Sequence, residues 1–533
     1  MKELLIVVCL SLFVPFHSQE DARKNFEEDV ELFSELYDLI QENYVDTIIH
    51  NEFITNILKQ TATSVDSYTR FFTREETVLR NKSWSGISYA GIGANVNYIN
   101  EEVIIEYCKK GYGADSVGLM MGDAIVSIND SSVVNLNLTN TVKLLKGPNG
   151  SKVKVKVKRG EVVTDFTIIR KQIISPSIGY TNLYKNEIAV LKINQFLRGS
   201  GVAFRDDVLD FVDRGAKGIV VDLRGNRGGI VKECISMLSA FLPKGTLICQ
   251  LKSKDLKSNY KEYTKQEPIN TSIPIIILID KNTMSSAEIF AGTMQDLDRA
   301  VLIGESTFGK GLVQGTRFLE DESTLYITAA RYHLPSGRSI NISAKNKPFI
   351  SSPAKETTPQ FFTLNGRVVK ANSGVFPDLF ISQKSNNSDI INSVSKSRLD
   401  FNFTVSELRK IKLTPEDSTG ANKKEYLKYL LKNKEMINLN AEREWEKLKK
   451  SSTVSTLPAA VLNRIDKELN KIKKQLIKSS INQLYEELNK RIIYQSKYLE
   501  GLYAFNLKKD DCFKKALELI SDPSTYKKII NFR

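Results

Sequence analysis

The segment from Asp280 to Gln314 reads DKNTMSSAEIFAGTMQDLDRAVLIGESTFGKGLVQ, and it indicates both the fold and the chemistry of this chain. The apolar run at 275–279 predicts a buried strand before it, and the helical spacing of apolar residues at 289–294 predicts a helix within it. Ser285 then falls at the corner between strand and helix. A hydroxyl there lies beside the unpaired backbone N–H groups of a helix start, which suits a nucleophile whose attack creates an oxyanion.

A serine nucleophile needs a base, and the sequence favours lysine over histidine. Of the three histidines, His17 lies in the apparent leader and His50 far upstream, which leaves only His333. Lys310 lies between two glycines with apolar neighbours that can exclude water. Burial disfavours the ammonium form, so a lysine there can be neutral and accept the serine proton. Gln314 would share a face with Lys310 in an extended segment, where its amide could orient the amine.

Four short motifs in this order resemble the core of the C-terminal processing peptidases, also called tail-specific proteases. They are Ser285-Ser-Ala-Glu-Ile-Phe-Ala-Gly, Met294-Gln-Asp, Arg299-Ala-Val-Leu-Ile-Gly-Glu and Thr307-Phe-Gly-Lys-Gly-Leu-Val-Gln. The resemblance implies a serine peptidase with Ser285 as nucleophile, Lys310 as base and Gln314 as the residue that orients the lysine. The family more often has Ser-Ala-Ser-Ala-Ser-Glu where this chain has Thr-Met-Ser-Ser-Ala-Glu. Ser286 is therefore an alternative nucleophile, and Ser285 is favoured.

Ser285 also has a purely structural interpretation. Ser285-x-x-Glu288 ahead of an apolar segment is a capping box, in which the serine only closes the start of the helix. For a single motif of this kind, capping is the better interpretation. The joint occurrence of the four motifs favours catalysis.

Length and composition limit the possible classes of protein. A chain of 533 residues with a 41% hydrophobic share predicts about three domains with substantial cores. The net charge of +14 could indicate nucleic acid, but much of the excess is lysine scattered over helical segments in the last third, which favours solvated helix faces. The cysteines lack C-x-x-C spacing, so no zinc or redox motif is present, and no metal or cofactor is required.

Residues 1–18 predict a secretory signal peptide. A short polar start precedes an apolar run at 4–16 that is too brief to span a bilayer stably, and cleavage is expected near Ser18. Cys9 has no small residue before it and does not resemble a lipoprotein anchor. We expect an exported protein, with the periplasm as the favoured location and secretion or peripheral membrane attachment as alternatives. No later apolar run reaches membrane length.

The expected fold class is α+β and multidomain, beginning with a helical region at 19–83. Residues 84–172 resemble a circularly permuted PDZ domain through Gly118-Leu-Met-Met-Gly-Asp-Ala-Ile-Val-Ser-Ile-Asn and the alternating strand Val153-Lys-Val-Lys-Val-Lys. PDZ domains add a peptide C-terminus as a strand and capture its carboxylate with a glycine-containing loop. The resemblance implies that this peptide-binding loop comprises Gly91, Ile92 and Gly93. Lys146 stands where the family usually has arginine.

Residues 173–381 are expected to form the αβ-sheet protease core, which the resemblance implies is of the ClpP/crotonase type. Strand, helix and strand followed by Asp222-Leu-Arg-Gly-Asn-Arg-Gly-Gly predict parallel units with ligands at the carboxyl ends of strands. The family has a similar glycine-rich loop, and the resemblance implies that the N–H groups of Gly229 and Ser286 form the oxyanion hole. The glycines could also be a simple tight turn. Nucleotide binding is disfavoured because no Gly-Lys-Ser/Thr follows.

Residues 382–533 are lysine-rich and predict a helical C-terminal extension, separated from the core by a Ser/Asn-rich link. It could shield the active site, mediate self-association or bind an adaptor, and these alternatives stay open. We expect a serine endopeptidase that recognises proteins or peptides with accessible apolar C-termini, without nucleic acid as a partner. The alternative is a catalytically silent PDZ scaffold, which would have no need of Ser285, Lys310 and Gln314 together.

Overall fold

A computed structural model of the chain describes residues 15–83, 87–99, 101–134, 136–185, 187–342, 360–382, 388–410, 422–451 and 453–530. Most of the expected signal peptide, residues 1–14, lies outside these ranges. The described residues form two compact units, the first within Met1–Thr77 and Gln314–Thr328 and the second within Val78–Val313 and Ala329–Arg533. No helix within the described ranges is both long and apolar enough to cross a membrane.

The helices and strands follow the expected order along the chain. The helices are α1 (Pro15–Asn43), α2 (His50–Val65), α3 (Arg74–Ser83), α4 (Gly113–Ser116), α5 (Leu138–Leu145), α6 (Ser200–Asp213), α7 (Val231–Leu238), α8 (Ser286–Asp296), α9 (Asp389–Lys396), α10 (Leu399–Lys410), α11 (Lys423–Lys432), α12 (Asn440–Lys449), α13 (Ala459–Ser479), α14 (Ile481–Leu507), α15 (Asp511–Ser521) and α16 (Pro523–Ile530). The strands are β1 (Arg70–Phe72), β2 (Ile87–Gly91), β3 (Ala94–Ile99), β4 (Glu102–Cys108), β5 (Ala124–Ile128), β6 (Ser131–Ser132), β7 (Lys152–Arg159), β8 (Val162–Ile169), β9 (Lys171–Ile174), β10 (Ile178–Tyr184), β11 (Ile188–Ile193), β12 (Gly218–Asp222), β13 (Leu247–Ser253), β14 (Tyr260–Tyr263), β15 (Ile275–Ile279), β16 (Val301–Gly304), β17 (Leu312–Phe318), β18 (Thr324–His333), β19 (Phe361–Phe362), β20 (Val368–Val369) and β21 (Leu379–Phe380). The expected α+β class, with helices at both ends of the chain, is confirmed.

The first unit joins the N-terminal helices to a short antiparallel pairing. Strand β1 pairs with β18, with Arg70 opposite Tyr326 and Phe72 opposite Thr324. The hydroxyls of Thr77 and Thr324 lie 2.8 Å apart and are buried, so this pairing also has a polar contact at its end.

The expected PDZ segment contains a sheet whose first strand, β3, has an unpaired edge among the residues that the structure describes. Its strands run in the order β3-β4-β5-β7-β8, with β6 paired to β5, while β2 and β9 form a separate two-stranded sheet. The alternating valine-lysine run is β7, whose valines are buried because successive side chains of a strand point to opposite faces. Helix α5 packs beside β3 and is capped by Asn137, whose Oδ1 accepts the N–H of Asn140 at 2.9 Å. Within the described residues β3 pairs only with β4, which leaves its other edge open beside α5.

The core sheet has the order β10-β11-β12-β15-β16-β21 and is parallel from β11 onward. Its central strands are the predicted apolar runs, and every residue of β12, β15 and β16 is buried. Such runs are expected where a parallel sheet is covered on both faces. Val221 and Ile277 pack in the cluster that includes α6, α7 and α8 on one face, whereas Val220 and Ile276 pack in the cluster on the other.

The C-terminal extension covers that second face. Helices α15 and α16 lie on the core sheet through Phe513, Leu519 and Tyr526, which join the same hydrophobic cluster as the sheet residues. Helices α9, α10, α11, α13 and α14 form a separate core around residues such as Tyr426 and Leu488. The expected helical extension is confirmed. Its last two helices cover one face of the protease-core sheet, and the polar, lysine-rich sequence did not predict this packing.

The same extension also contacts the PDZ segment. The Arg398 guanidinium pairs with the Glu106 carboxylate on β4. The rings of Tyr494 and Tyr498 lie against the ring of Tyr107, with centroids 4.8 and 5.0 Å apart. The extension therefore packs against both the PDZ segment and the core sheet.

A buried ion-pair network joins the end of α8 to the segments that follow β18. Arg338 Nη2 lies 2.8 Å from Asp296 Oδ1 with both side chains fully buried. Arg338 also donates to Gln295 Oε1 at 2.8 Å. The Arg367 guanidinium pairs with Asp378 Oδ1 at 2.6 Å. Gln295 Nε2 also donates to Asp378 Oδ1 at 2.8 Å, so the Met294-Gln-Asp motif is joined to the segment at Asp378 by polar and charged groups that are paired away from water.

We predict that Asp296→Ala lowers the free energy of unfolding by about 3–5 kcal/mol, because it leaves the Arg338 guanidinium buried without its carboxylate. The measurement is equilibrium unfolding in denaturant. The matched control is Lys217→Ala, which removes an exposed pair with Glu187 and should cost about 0–1 kcal/mol. Equal losses in the two variants would contradict a stabilising role for the buried pair.

Candidate active site

Three loops meet at the carboxyl edge of the core sheet. They follow β12, β15 and β16, and they comprise residues 223–230, 280–285 and 305–311. Carboxyl ends of parallel strands share one edge of a sheet, which is where open αβ sheets bind ligands. Hydrogen bonds join the loops: Met284 N–H donates to Asn226 O at 2.9 Å and Phe308 N–H donates to Thr283 O at 3.0 Å. The expected nucleophile loop, oxyanion loop and lysine loop are thus held together.

Ser285 stands at the predicted corner, directly before helix α8. Its φ of 58° and ψ of −123° lie outside the usual regions for a residue with a side chain, a strain that is common at functional sites. Ser285 is partly exposed, whereas Ser286 is fully buried and donates its hydroxyl to Gly229 O at 3.2 Å. The exposure of the first hydroxyl and the engagement of the second favour Ser285 as the nucleophile.

The capping interpretation of Ser285 is only partly realised. Glu288 Oε2 accepts the Ser285 N–H at 2.9 Å, as in a capping box. The Glu288 N–H, however, donates to the main-chain oxygen of Ser285 at 2.8 Å, and the serine side chain makes no capping hydrogen bond. The helix start is therefore satisfied without the hydroxyl.

The Glu288 carboxylate connects the serine corner to the lysine loop. It is fully buried and accepts four hydrogen bonds, from Thr307 Oγ1 at 2.5 Å and Gly309 N–H at 2.7 Å to Oε1, and from Ser285 N–H at 2.9 Å and Lys310 N–H at 2.8 Å to Oε2. Because the last two nitrogens bond one oxygen atom, they can be no more than 5.7 Å apart. Glu288 thus brings the two predicted catalytic residues together.

Burial raises the pKa of the Glu288 carboxyl, and its hydrogen bonds with Thr307, Gly309, Ser285 and Lys310 oppose that shift. The donors compensate part of the cost of placing this group away from water. Sequence reasoning gave Glu288 only a capping role. Two features of the sequence could have indicated that Glu288 also anchors the lysine loop. It stands three residues after the serine, and the chain contains the Thr-Phe-Gly-Lys motif, whose backbone N–H groups donate to the carboxylate.

The oxyanion loop has the geometry that requires glycine. Gly229 has a φ of 150°, and a Cβ there would lie 2.2 Å from Phe196 O. A Cβ on Gly228 would lie 2.8 Å from the Cβ of Ser285, so this loop touches the serine directly. Within the described residues, neither the Gly229 N–H nor the Ser286 N–H donates a hydrogen bond. Both predicted oxyanion donors are therefore available to a ligand.

Gln314 and His333 lie in different surroundings. Gln314 is on β17 in the first compact unit and donates its amide to Thr328 Oγ1 at 3.5 Å, so its predicted role in orienting Lys310 stays a prediction.

The ring Nδ1 of His333 lies 3.1 Å from Gly337 O, and burial lowers the pKa of the imidazole. This contact within its own turn supports a structural role for His333.

The predicted peptide-binding loop leads directly into the open edge strand β3. Gly91 ends β2, Ile92 is buried, and Gly93 has a φ of 77°. The carbonyls of Ile92 and Gly93 accept hydrogen bonds from Ala114 and Lys109 at 2.8 and 2.7 Å, which fixes the loop against the domain. This arrangement suits the capture of a peptide end that is added beside β3.

Two family models match this chain, one over the PDZ segment and one over the protease core. The PDZ domain model matches residues 77–158 and the peptidase family S41 model matches residues 187–346. These ranges overlap the expected domains at 84–172 and 173–381, whose limits stay predictions. The second match contains Ser285, Lys310, Gln314 and both expected oxyanion donors.

Known relatives match over more than half of this chain. The carboxy-terminal processing protease CtpA of Bacillus subtilis is 28% identical over 341 residues, which is 63% of this chain and 72% of the relative. A probable CtpA-like serine protease of Staphylococcus epidermidis is 31% identical over 300 residues, which is 56% of this chain and 60% of that protein. The solved photosystem II D1 C-terminal processing protease is 21% identical and covers 64% of this chain and 85% of its own, but its TM-score of 0.37 is too low to add to the sequence matches. The chain therefore contains a peptidase family S41 segment and a PDZ segment, is similar to carboxy-terminal processing proteases, and is a serine-type peptidase.

Proposed function

We propose that the protein is an exported endopeptidase that binds the C-terminal tails of its substrates and cleaves them with a Ser-Lys pair. The observation that carries this proposal is the Glu288 Oε2 atom, which accepts the backbone N–H groups of both Ser285 and Lys310. A shared anchor of this kind holds the backbones of the serine and the lysine close together before substrate arrives, which supports the hydroxyl-amine pairing that general-base catalysis requires.

The proposed reaction has two steps. Ser285 Oγ attacks the peptide carbonyl as its proton passes to the neutral Lys310 amine, and the N–H groups of Gly229 and Ser286 bind the resulting oxyanion. The protonated lysine then gives its proton to the leaving amine as the C–N bond breaks, which forms an ester with Ser285. Water, deprotonated by Lys310, attacks this ester, and the lysine returns the proton to Ser285 Oγ as the ester C–O bond breaks, which releases the new C-terminus and restores the serine. Gln314 would orient the lysine amine.

The PDZ domain supplies the proposed selection of substrates. A tail would add antiparallel to the open edge of β3, with its carboxylate at the backbone of Gly91, Ile92 and Gly93. We also propose export, with the periplasm as the favoured location, on the basis of the apolar N-terminal run. Self-association or adaptor binding through the C-terminal extension belongs to the same proposal. The alternative of a silent scaffold is not favoured, because the serine and lysine loops are assembled on one carboxylate.

We predict that Ser285→Ala and Lys310→Ala each lower kcat for an unstructured protein with an apolar C-terminus by about 10⁴-fold or more, because nucleophile and base act as a unit. Cleavage is followed by gel and mass spectrometry. The control is Ser286→Ala, which keeps the backbone donor and should retain most activity. Cleavage that persists in the first two variants would disprove the mechanism.

We predict that Glu288→Gln lowers kcat by about 10²-fold, because an amide nitrogen would face N–H donors and the two catalytic loops would move apart. Glu187→Gln is the matched control, since Glu187 is exposed and pairs with Lys217 at the surface. Thermal unfolding of both variants shows whether they are folded at the assay temperature. Full activity in a folded Glu288→Gln variant would show that this carboxylate does not hold the site.

We predict that a peptide with an amidated C-terminus binds the Ser285→Ala protein about tenfold or more weakly than the same peptide with a free carboxylate, because charge-assisted hydrogen bonds to the loop are lost. Isothermal titration calorimetry measures both affinities without cleavage. A Gly93→Ala variant should weaken binding of the free carboxylate, since a Cβ there would lie 2.2 Å from the Tyr112 Cβ. Equal affinity of the two peptides would contradict carboxylate capture.

A further inference from the structure

The oxyanion loop is anchored by a residue that sequence reasoning did not single out. Arg224 lies five residues before Gly229, and its side chain is only 10% exposed. Its Nε and Nη2 donate to the two carboxylate oxygens of Asp222 at 3.0 and 2.6 Å. Its third nitrogen, Nη1, lies 2.6 Å from Asp510 Oδ2. A buried guanidinium is thus held from both sides by carboxylates.

Two further groups complete this cluster. Tyr503 donates its hydroxyl to Asp222 Oδ2 at 2.8 Å, and Lys192 Nζ lies 3.5 Å from Asp222 Oδ1. Two cationic side chains face two carboxylates, so removal of the Asp510 charge leaves an unbalanced positive charge in a buried site. The neighbouring cations lower the pKa of the Asp222 carboxyl against the effect of its burial, which agrees with a strongly paired carboxylate.

The cluster is coupled directly to the serine corner. The Gly225 N–H, next to Arg224, donates to Asp280 Oδ1 at 2.9 Å, and Thr283 Oγ1 donates to Leu223 O at 3.1 Å. Both Asp280 and Thr283 belong to the loop that ends at Ser285. A shift of Arg224 would therefore move the segment that aligns the Gly229 N–H with the nucleophile.

Two of the contacts come from the C-terminal extension. Tyr503 lies near the end of α14, and Asp510 precedes α15, where its Oδ1 accepts the Phe513 N–H at 3.1 Å. Oδ2 of Asp510 is the atom that pairs with Arg224. Both residues lie well beyond the segment at 187–346 that matches the peptidase family. The helices that follow Asp510 pack on the core sheet, so Asp510 itself is held in a fixed position.

We propose that Tyr503 and Asp510 are positioning residues for catalysis: the C-terminal extension completes the active site by fixing Arg224 and, through it, the oxyanion loop. This inference rests on the proposed function, in which Gly229 donates to the oxyanion. Neither residue touches substrate. Their effect falls on the transition state, because the oxyanion forms only after attack.

The test uses the full chain and the variant Asp510→Asn, because asparagine can still cap α15 while the charge on Arg224 is lost. The proposal expects kcat to fall about tenfold, a fraction of the 10²–10³ that loss of an oxyanion donor costs, while KM changes less than twofold. Tyr503→Phe should act in the same direction. Asp510→Glu, which restores the charge, should recover part of the lost kcat.

The matched control is Asp511→Asn, one residue further on, where the carboxylate is exposed and pairs with Lys514. Its kcat should equal that of the wild type. A peptide aldehyde, which forms an oxyanion when Ser285 adds to it, should bind Asp510→Asn about tenfold more weakly, whereas a tail peptide should bind both proteins equally. Assays are run below the unfolding midpoint of each variant, so that loss of folded protein does not enter kcat.

Three outcomes would overturn the proposal: wild-type kcat in folded Asp510→Asn and Tyr503→Phe, a change confined to KM, or an equal loss in Asp511→Asn. Ser285→Ala separates this failure from failure of the proposed function. If Ser285→Ala abolishes cleavage while Asp510→Asn has full kcat, only the positioning role is wrong. If cleavage survives Ser285→Ala, the proposed mechanism is wrong.

Discussion

The active site depends on one buried carboxylate that accepts hydrogen bonds from two loops. Glu288 is carried by the helix that follows the serine corner, so its position is fixed by the core sheet. Its two oxygens then fix the backbone N–H groups of Gly309 and Lys310 as well as the N–H of Ser285. Because an uncompensated carboxylate is costly to bury, the lysine loop is held in place by the need to satisfy it.

The surroundings of this carboxylate explain why the motifs occur together. The oxyanion loop lies against the Cβ of Ser285 at Gly228, and Arg224 near its other end is tied to Asp222. The C-terminal helices cover the second face of the sheet and reach Arg224 through Asp510. The same extension also contacts the PDZ segment at Glu106 and Tyr107. The catalytic loops, the sheet and the extension therefore form a continuous set of contacts.

Much of the fold and the site was predictable from local pattern. The apolar runs at 218–222 and 275–279 are central strands, and the doubled serine falls at the predicted corner before α8. The roles of Glu288, Tyr503 and Asp510 were not predicted. Their contacts join residues that are distant in sequence, and a tyrosine and an aspartate near helix ends have ordinary local explanations. The polar composition of the C-terminal extension likewise gave no indication that α15 and α16 cover the core sheet.

The central claim is that Ser285 is the nucleophile and that Lys310 activates it. The most direct measurement is to react the full chain with a fluorophosphonate and to map the modified residue by peptide mass spectrometry. The account predicts a single adduct on Ser285 of the wild type and its loss in Lys310→Ala. An adduct on Ser286 instead, or labelling of Ser285 that is unaffected by loss of the lysine amine, would contradict it.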